Sequence, residues 1–361
     1  MMKPLRSSLP WLTSAVLLSL VIPTAVLAQC VSPPASADPT ERFFWFDDFQ
    51  YFRPPQAAIR TPAIYAQLMP TADSVPMHGY SSTKNPFNGK KGRAHAEAGF
   101  GGNVPVVSWT NRNEGCTSGI DFYLHSSVHT LLRLSDQDLV NSDFGFGGGI
   151  RFRGGGPSKR VSGRLIWKHE STHLGDEYTF KAASTGDFRR YNVGVETLEL
   201  QLGLDNAPEF IDVGWYTRAY AGTRWHTGKE GNVLGFDYAA EGHTLPSGGG
   251  SEPVEIDPLR YRHRWDFNAG AEWWSPLLGR GGRNARFFLA GELYWRDRLD
   301  VTDPERVKSW SAGFGWLWGG EGFGQSEMEL SARFYGGIHP HGQFRSMEGF
   351  RYWAVRLGFN P

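Results

Sequence analysis

Apolar and polar residues alternate one for one along most of this chain, through stretches longer than the strands of ordinary sheets. From Val161 to His173 the odd positions carry Val161, Gly163, Leu165, Trp167, His169, Ser171 and His173. The even positions carry Ser162, Arg164, Ile166, Lys168, Glu170 and Thr172. A period of two sends successive side chains to opposite faces, so each stretch reads as a strand with one apolar and one polar face. Twelve such strands are predicted, over residues 60–69, 93–110, 119–134, 142–153, 161–173, 189–204, 210–226, 261–276, 284–297, 309–318, 326–339 and 349–360. The second is interrupted by Gly101, Gly102 and Pro105, and the first carries Pro62, residues that weaken a hydrogen-bonded ladder.

Two architectures satisfy this pattern. A soluble sandwich hides the apolar faces against each other, whereas a membrane barrel turns them to lipid and its polar faces to the lumen. Strand length favours the barrel, as do Trp and Tyr recurring near strand ends. The connections also alternate, short at 154–160, 205–209, 277–283 and 319–325, and long at 70–92, 174–188 and 227–260. The expected fold is all-β, an antiparallel transmembrane barrel of about twelve strands. Arg164, Lys168, Glu170, Arg218, Arg224, Asp266, Glu272, Glu292, Glu329 and Arg333 would point inward. Bulky Tyr and Arg at such positions predict a packed, salt-bridged core or a narrow lumen rather than a wide pore.

The N-terminus reads as a secretory signal. Lys3 and Arg6 precede an apolar core from Leu12 to Leu27, and Val26-Leu-Ala28 offers a cleavage site. The expected organisation is a signal peptide over 1–28, a periplasmic leader over 29–59 and an outer-membrane barrel over 60–361. The Pro-rich leader would pack against one mouth of the barrel. The only two cysteines, Cys30 and Cys116, both fall on the periplasmic side of this topology and could pair there; lipidation of Cys30 is the other reading. A formal net charge of +0 gives no basic footprint for nucleic acid. The partners expected are outer-membrane lipids, and a homodimer is an open alternative.

One run stands out: His169-Glu-Ser171-Thr-His173-Leu-Gly175-Asp176-Glu177. It resembles the hallmark His-x-Ser-Ser-His-Leu-Gly-Asp-Glu of a family of bacterial, signal-bearing barrel proteins of unknown function, with Thr172 in place of the second Ser. The likeness extends to Phe52-Arg-Pro, the stretch from Phe100 to Trp109, and Leu139-Val-Asn-Ser-Asp143. This resemblance implies compartment and fold, and no activity. The pair His169 and Ser171 is also similar to the His-x-Ser of outer-membrane phospholipase A and of the barrel that deacylates lipid A. Those enzymes carry Asn-Gly directly after the Ser, where this chain has Thr172-His173. That resemblance implies Ser171 as nucleophile, His169 as its base, and Asn192 or, second, Glu196 as the residue orienting the imidazole. Asp176 and Glu177 would offer oxygen ligands to a calcium ion.

Against this acyl-ester hydrolase stands a barrel serving envelope structure, binding or small-solute passage, with His169 and Ser171 as interfacial residues. His125 and His129 share the polar face of their strand, where lumenal hydrogen bonding is expected. His226, His339 and His341 show no diagnostic spacing. Gly147-Gly148-Gly149 lies within a strand and leaves room for close packing or a bulge.

Overall fold

The computed structural model describes residues 40–45, 51–60, 63–72, 93–113, 116–134, 137–155, 160–175, 189–206, 215–227, 232–237, 264–276, 278, 285–297, 306–319, 327–345 and 349–360. Their strands are β1 (Thr40–Trp45), β2 (Ile64–Ala72), β3 (Arg93–Asn113), β4 (Cys116–Arg133), β5 (Asp138–Gly155), β6 (Arg160–Leu174) and β7 (Arg189–Asp205). Then come β8 (Tyr216–His226), β9 (Asn232–Asp237), β10 (Trp265–Trp274), β11 (Ala285–Asp297), β12 (Arg306–Trp318), β13 (Glu327–Gly337) and β14 (Phe350–Asn360).

Strands β2 to β8 and β10 to β14 pair in chain order, each antiparallel to the next, and β14 pairs back onto β2. The ring closes as a twelve-stranded, all-β antiparallel barrel, and the sandwich is excluded. The rim carrying the β3–β4, β5–β6 and β7–β8 connections is called lower here, and the opposite rim upper. Two strands lie off the ring, and neither is expected from the alternation. β1 pairs with Val107 to Arg112 of β3, where β3 has run past the start of β2. β9 pairs with Arg189 to Gly194 of β7, where β7 has run past the end of β8. Each covers an edge whose backbone groups would otherwise lack ladder partners.

The alternation decides which face goes where. On β11, Leu289 and Leu293 are each 53% exposed while Glu292 between them is 4% exposed. Phe146 and Leu357 likewise face out, and Arg151, Arg218, Glu272 and Arg356 are buried inside. An apolar exterior around an ionic interior is the polarity of a transmembrane barrel. Trp rings stack in pairs near both rims, Trp215 on Trp273 at 4.5 Å below and Trp225 on Trp265 at 6.0 Å above. Inside, Arg151 grips Asp121 through both Nε and Nη2, Arg153 donates to Asp205 at 3.0 Å, and Arg224 reaches Glu199 at 2.8 Å.

Several expectations need correction. The leader does not stop at the mouth: residues 51–60 thread the lumen, as described below. The first strand begins at Ile64, and Pro62 lies outside the described residues. β3 runs on to Asn113, absorbing Pro105 in a register shift between Pro105 and Val107. The seventh and eighth strands open later, at Tyr216 and Trp265. Cys30, and the side chain of Cys116 at the start of β4, lie outside the described residues.

The glycine run packs closely on one face only. A Cβ on Gly149 would sit 2.2 Å from the Leu165 carbonyl oxygen and 2.8 Å from Ile166 Cα, whereas one on Gly148 would meet nothing nearer than 3.5 Å. Gly149→Ala is therefore expected to cost about 1–3 kcal/mol through overpacking, and Gly148→Ala close to nothing. The temperature at which the folded band is lost on semi-native gels should fall for Gly149→Ala alone.

Candidate functional site

The outer face of β6 carries His169, Ser171 and His173 toward the upper rim, all at least partly exposed. Ser171 and His169 share that face, as their spacing requires, but the imidazole bonded to the serine is a different one. Ser171 Oγ lies 3.0 Å from His173 Nε2, and His173 stacks edge-on against Phe144 at 5.6 Å. His169 turns the other way, with Nδ1 3.8 Å from Glu196 Oε1 on β7. The register explains this: His169 sits opposite Glu196, and Ser171 opposite Gly194. Asn192 lies two residues beyond Gly194 on β7 and pairs with Leu234 of β9; its side chain is outside the described residues. Among the described residues the structure therefore brings together two outward pairs, Ser171–His173 and His169–Glu196. Asp176 and Glu177 lie outside the described residues. Among the described residues no group of His, Cys, Asp and Glu is arranged to hold a metal.

The inward residues of the same motif do a different job. Thr172 Oγ1 donates to Asn141 Oδ1 at 3.1 Å, and Asn141 Nδ2 donates to Asp143 Oδ1 at 2.8 Å. Glu170 accepts from Arg345 and lies 3.9 Å from Arg60. Gly175 bonds through its amide to the Val140 carbonyl, and a Cβ there would collide with the Leu139 carbonyl. The glycine of the motif is thus required by a close backbone approach.

Those residues anchor two segments that fill the lumen. The first is the strap, residues 51–60, whose partners climb the wall in order. The Tyr51 hydroxyl bonds Thr110, and its ring occupies the space beside Gly119 near the β3–β4 turn. Arg53 pairs with Glu327 and lies over the Trp274 ring at 4.0 Å, while its carbonyl accepts from Arg218 at 2.7 Å. The Gln56 amide donates to Glu272 and its carbonyl accepts from Arg333; the Ala57 carbonyl accepts from Ser311. Arg60 ends the climb on Asp143. A Pro-containing segment cannot supply its own ladder, so the wall satisfies its backbone groups side chain by side chain.

The second segment is the lid, residues 338–345 between β13 and β14, folded inward from the upper rim around a 3-10 turn over Gly342–Phe344. The Gly342 amide donates to both oxygens of Asp143 at 3.3 and 3.2 Å, and His341 Nδ1 lies 3.2 Å from the same carboxylate. Strap and lid therefore meet on Asp143. Burial pulls the Arg60 guanidinium down, but Asp143, Glu97 and Glu170 outweigh it and hold it above its ordinary range. Burial, then His341, Arg60 and His95, hold His339 well below the ordinary histidine range, so it stays neutral. A cavity of about 140 Å³ remains between strap, lid and wall, bounded by Pro54 and Arg60, by Arg345, and by His125, Ser127 and Lys168.

A family described as a protein of unknown function (DUF1207) matches residues 63–231, slightly under half of the chain. No curated protein matches. Among solved structures, the β-domain of the Bordetella autotransporter BrkA is 12% identical, with 83% of this chain and 98% of that chain covered and a TM-score of 0.39. A Pseudomonas aeruginosa FadL homologue is 8% identical, with 84% and 92% covered and a TM-score of 0.32. Likenesses this distant assign neither a partner nor an activity to the chain.

Arg60 anchors the upper end of the strap, and Asp143 faces it from the wall. Removing one member of a buried, hydrogen-bonded ion pair costs about 3–5 kcal/mol, because the other charge stays buried. Arg60→Ala is expected to lower the urea midpoint of the folded barrel accordingly. Lys308→Ala, at an exposed position on β12, should leave it within about 0.5 kcal/mol.

Proposed function

We propose that this chain is an outer-membrane barrel whose lumen is held shut by its own strap and lid, and which passes small polar solutes when they release. The apolar exterior with Trp at both rims, behind a secretory signal, supports the location. The observation that carries the function is how the strap is held. Its backbone groups at Arg53, Gln56 and Ala57 are each met by an inward side chain of the wall. The wall is built to receive this segment, and the same Arg and Glu side chains would line an aqueous path once it left.

The lipid-facing hydrolase is retained as a second reading on one observation, the Ser171–His173 hydrogen bond. In that reading His173, rather than His169, is the base for Ser171, with envelope lipid esters as substrates. Asn192 and Glu196 stay as candidate orienting residues, and a calcium ion on Asp176 and Glu177 belongs to the same proposal. A fluorophosphonate adduct on Ser171, lost in His173→Ala and kept in His169→Ala, is the expected result if it holds.

For the closed barrel, purified protein in planar bilayers is expected to show little conductance. The Arg53→Ala, Arg60→Ala double variant, folded by gel mobility, should raise it by about an order of magnitude. Equal conductance in the two proteins would refute gating by the strap.

A further inference from the structure

A second serine, on the opposite face of the wall, stands in line with a histidine and an amide, an arrangement not found among the described residues of the outer site. Asn103 of β3 stands opposite His125 of β4, and Ser127 follows His125 by two residues on the same inner face. His125 Nδ1 lies 2.9 Å from Asn103 Oδ1, and Ser127 Oγ lies 3.3 Å from His125 Nε2. An amide oxygen only accepts, so Nδ1 carries the ring proton and Nε2 is left to receive the serine hydroxyl. That is the tautomer a histidine needs to act as base toward a serine, fixed by a third residue that never touches the reacting atoms.

The surroundings leave the hydroxyl approachable. Gly145 of β5 stands opposite Ser127, and a Cβ there would lie 2.5 Å from Ser127 Oγ. Glycine keeps that approach open. His125, Ser127 and Gly145 all border the 140 Å³ cavity, and so do Arg164 and Lys168. Both cations also pair with Glu199, at 3.8 and 3.4 Å, so the positive charge beside the serine is shared with that carboxylate.

We infer that Ser127, His125 and Asn103 form a lumenal nucleophilic site for small, polar carboxylic esters. Ser127 Oγ attacks the ester carbonyl carbon, and its proton passes to His125 Nε2. The carbon–oxygen bond to the alcohol then breaks, and the alcohol leaves with that proton. Water, deprotonated by Nε2, cleaves the acyl-serine, so one ester and one water become one acid and one alcohol. Asn103 is a positioning residue. A cavity of this size, with Asp143, Lys168, Glu170 and Glu199 in its wall, excludes long acyl chains, which separates this site from any lipid-facing one.

The test uses full-length protein in detergent micelles, with folding confirmed by gel mobility, and diisopropyl fluorophosphate as probe. Peptide mapping should find the adduct on Ser127, in wild type or in the Arg53→Ala, Arg60→Ala variant that opens access. His125→Ala should abolish it. Asn103→Ala should slow it at least tenfold and shift its pH profile, and Asn103→Asp should restore the rate. Ser127→Ala should reduce p-nitrophenyl acetate turnover to the uncatalysed rate. No adduct on Ser127 in either background, or undiminished labelling in His125→Ala, overturns the inference.

Discussion

The structure turns on one buried carboxylate. Asp143 of β5 receives Arg60 from the strap, the Gly342 amide and His341 from the lid, and Asn141 from its own strand. A carboxylate taken out of water without such partners would be strongly unfavourable. The partners come from three parts of the chain, so satisfying this one charge fixes where the strap ends and how deep the lid folds. The motif residues Glu170 and Thr172 belong to the same joint, one through Arg60 and Arg345, the other through Asn141.

The rest of the interior follows the same rule on a larger scale. A wall that exposes Leu289 and Leu293 outward must put Glu292 inward, because a strand has only two faces. Twelve strands doing this produce a lumen crowded with Arg and Glu, and the charges need partners. Arg151 with Asp121 and Arg153 with Asp205 pair wall to wall. Others need the strap, whose own polar backbone is satisfied in return by Arg218, Arg333 and Glu272. The polarity that suits the exterior to lipid therefore makes the interior a receptor for a polar peptide.

What was legible in the sequence was whatever alternates. Strand β11 covers residues 285–297 against an expected 284–297, and Glu272, Glu292 and Arg333 are buried inside as expected, while Arg164 lines the inner cavity. The strap was illegible, since a Pro-containing segment has no period and its partners are remote: Arg53 and Glu327 are 274 positions apart. At the outer site, spacing identified the face but not the partner. His169 and His173 are both two residues from Ser171, and only the side-chain orientations decide for His173. The inner serine was hidden for a related reason. In His125-Ser126-Ser127 alternation puts the second serine on the face of the histidine, but only the register brings Asn103 and Gly145 opposite the pair.

The strap also bears on how the ring comes to be closed. β2 and β14 sit near opposite ends of the chain, and closing so long a loop costs conformational entropy that no local contact offsets beforehand. The strap immediately precedes β2, and it reaches β12 through Ser311, β13 through Glu327 and Arg333, and β5 through Asp143. Strap contacts to β12 and β13 and the β2–β14 seam draw the same two ends of the chain together, so each lowers the entropy cost of closing the other.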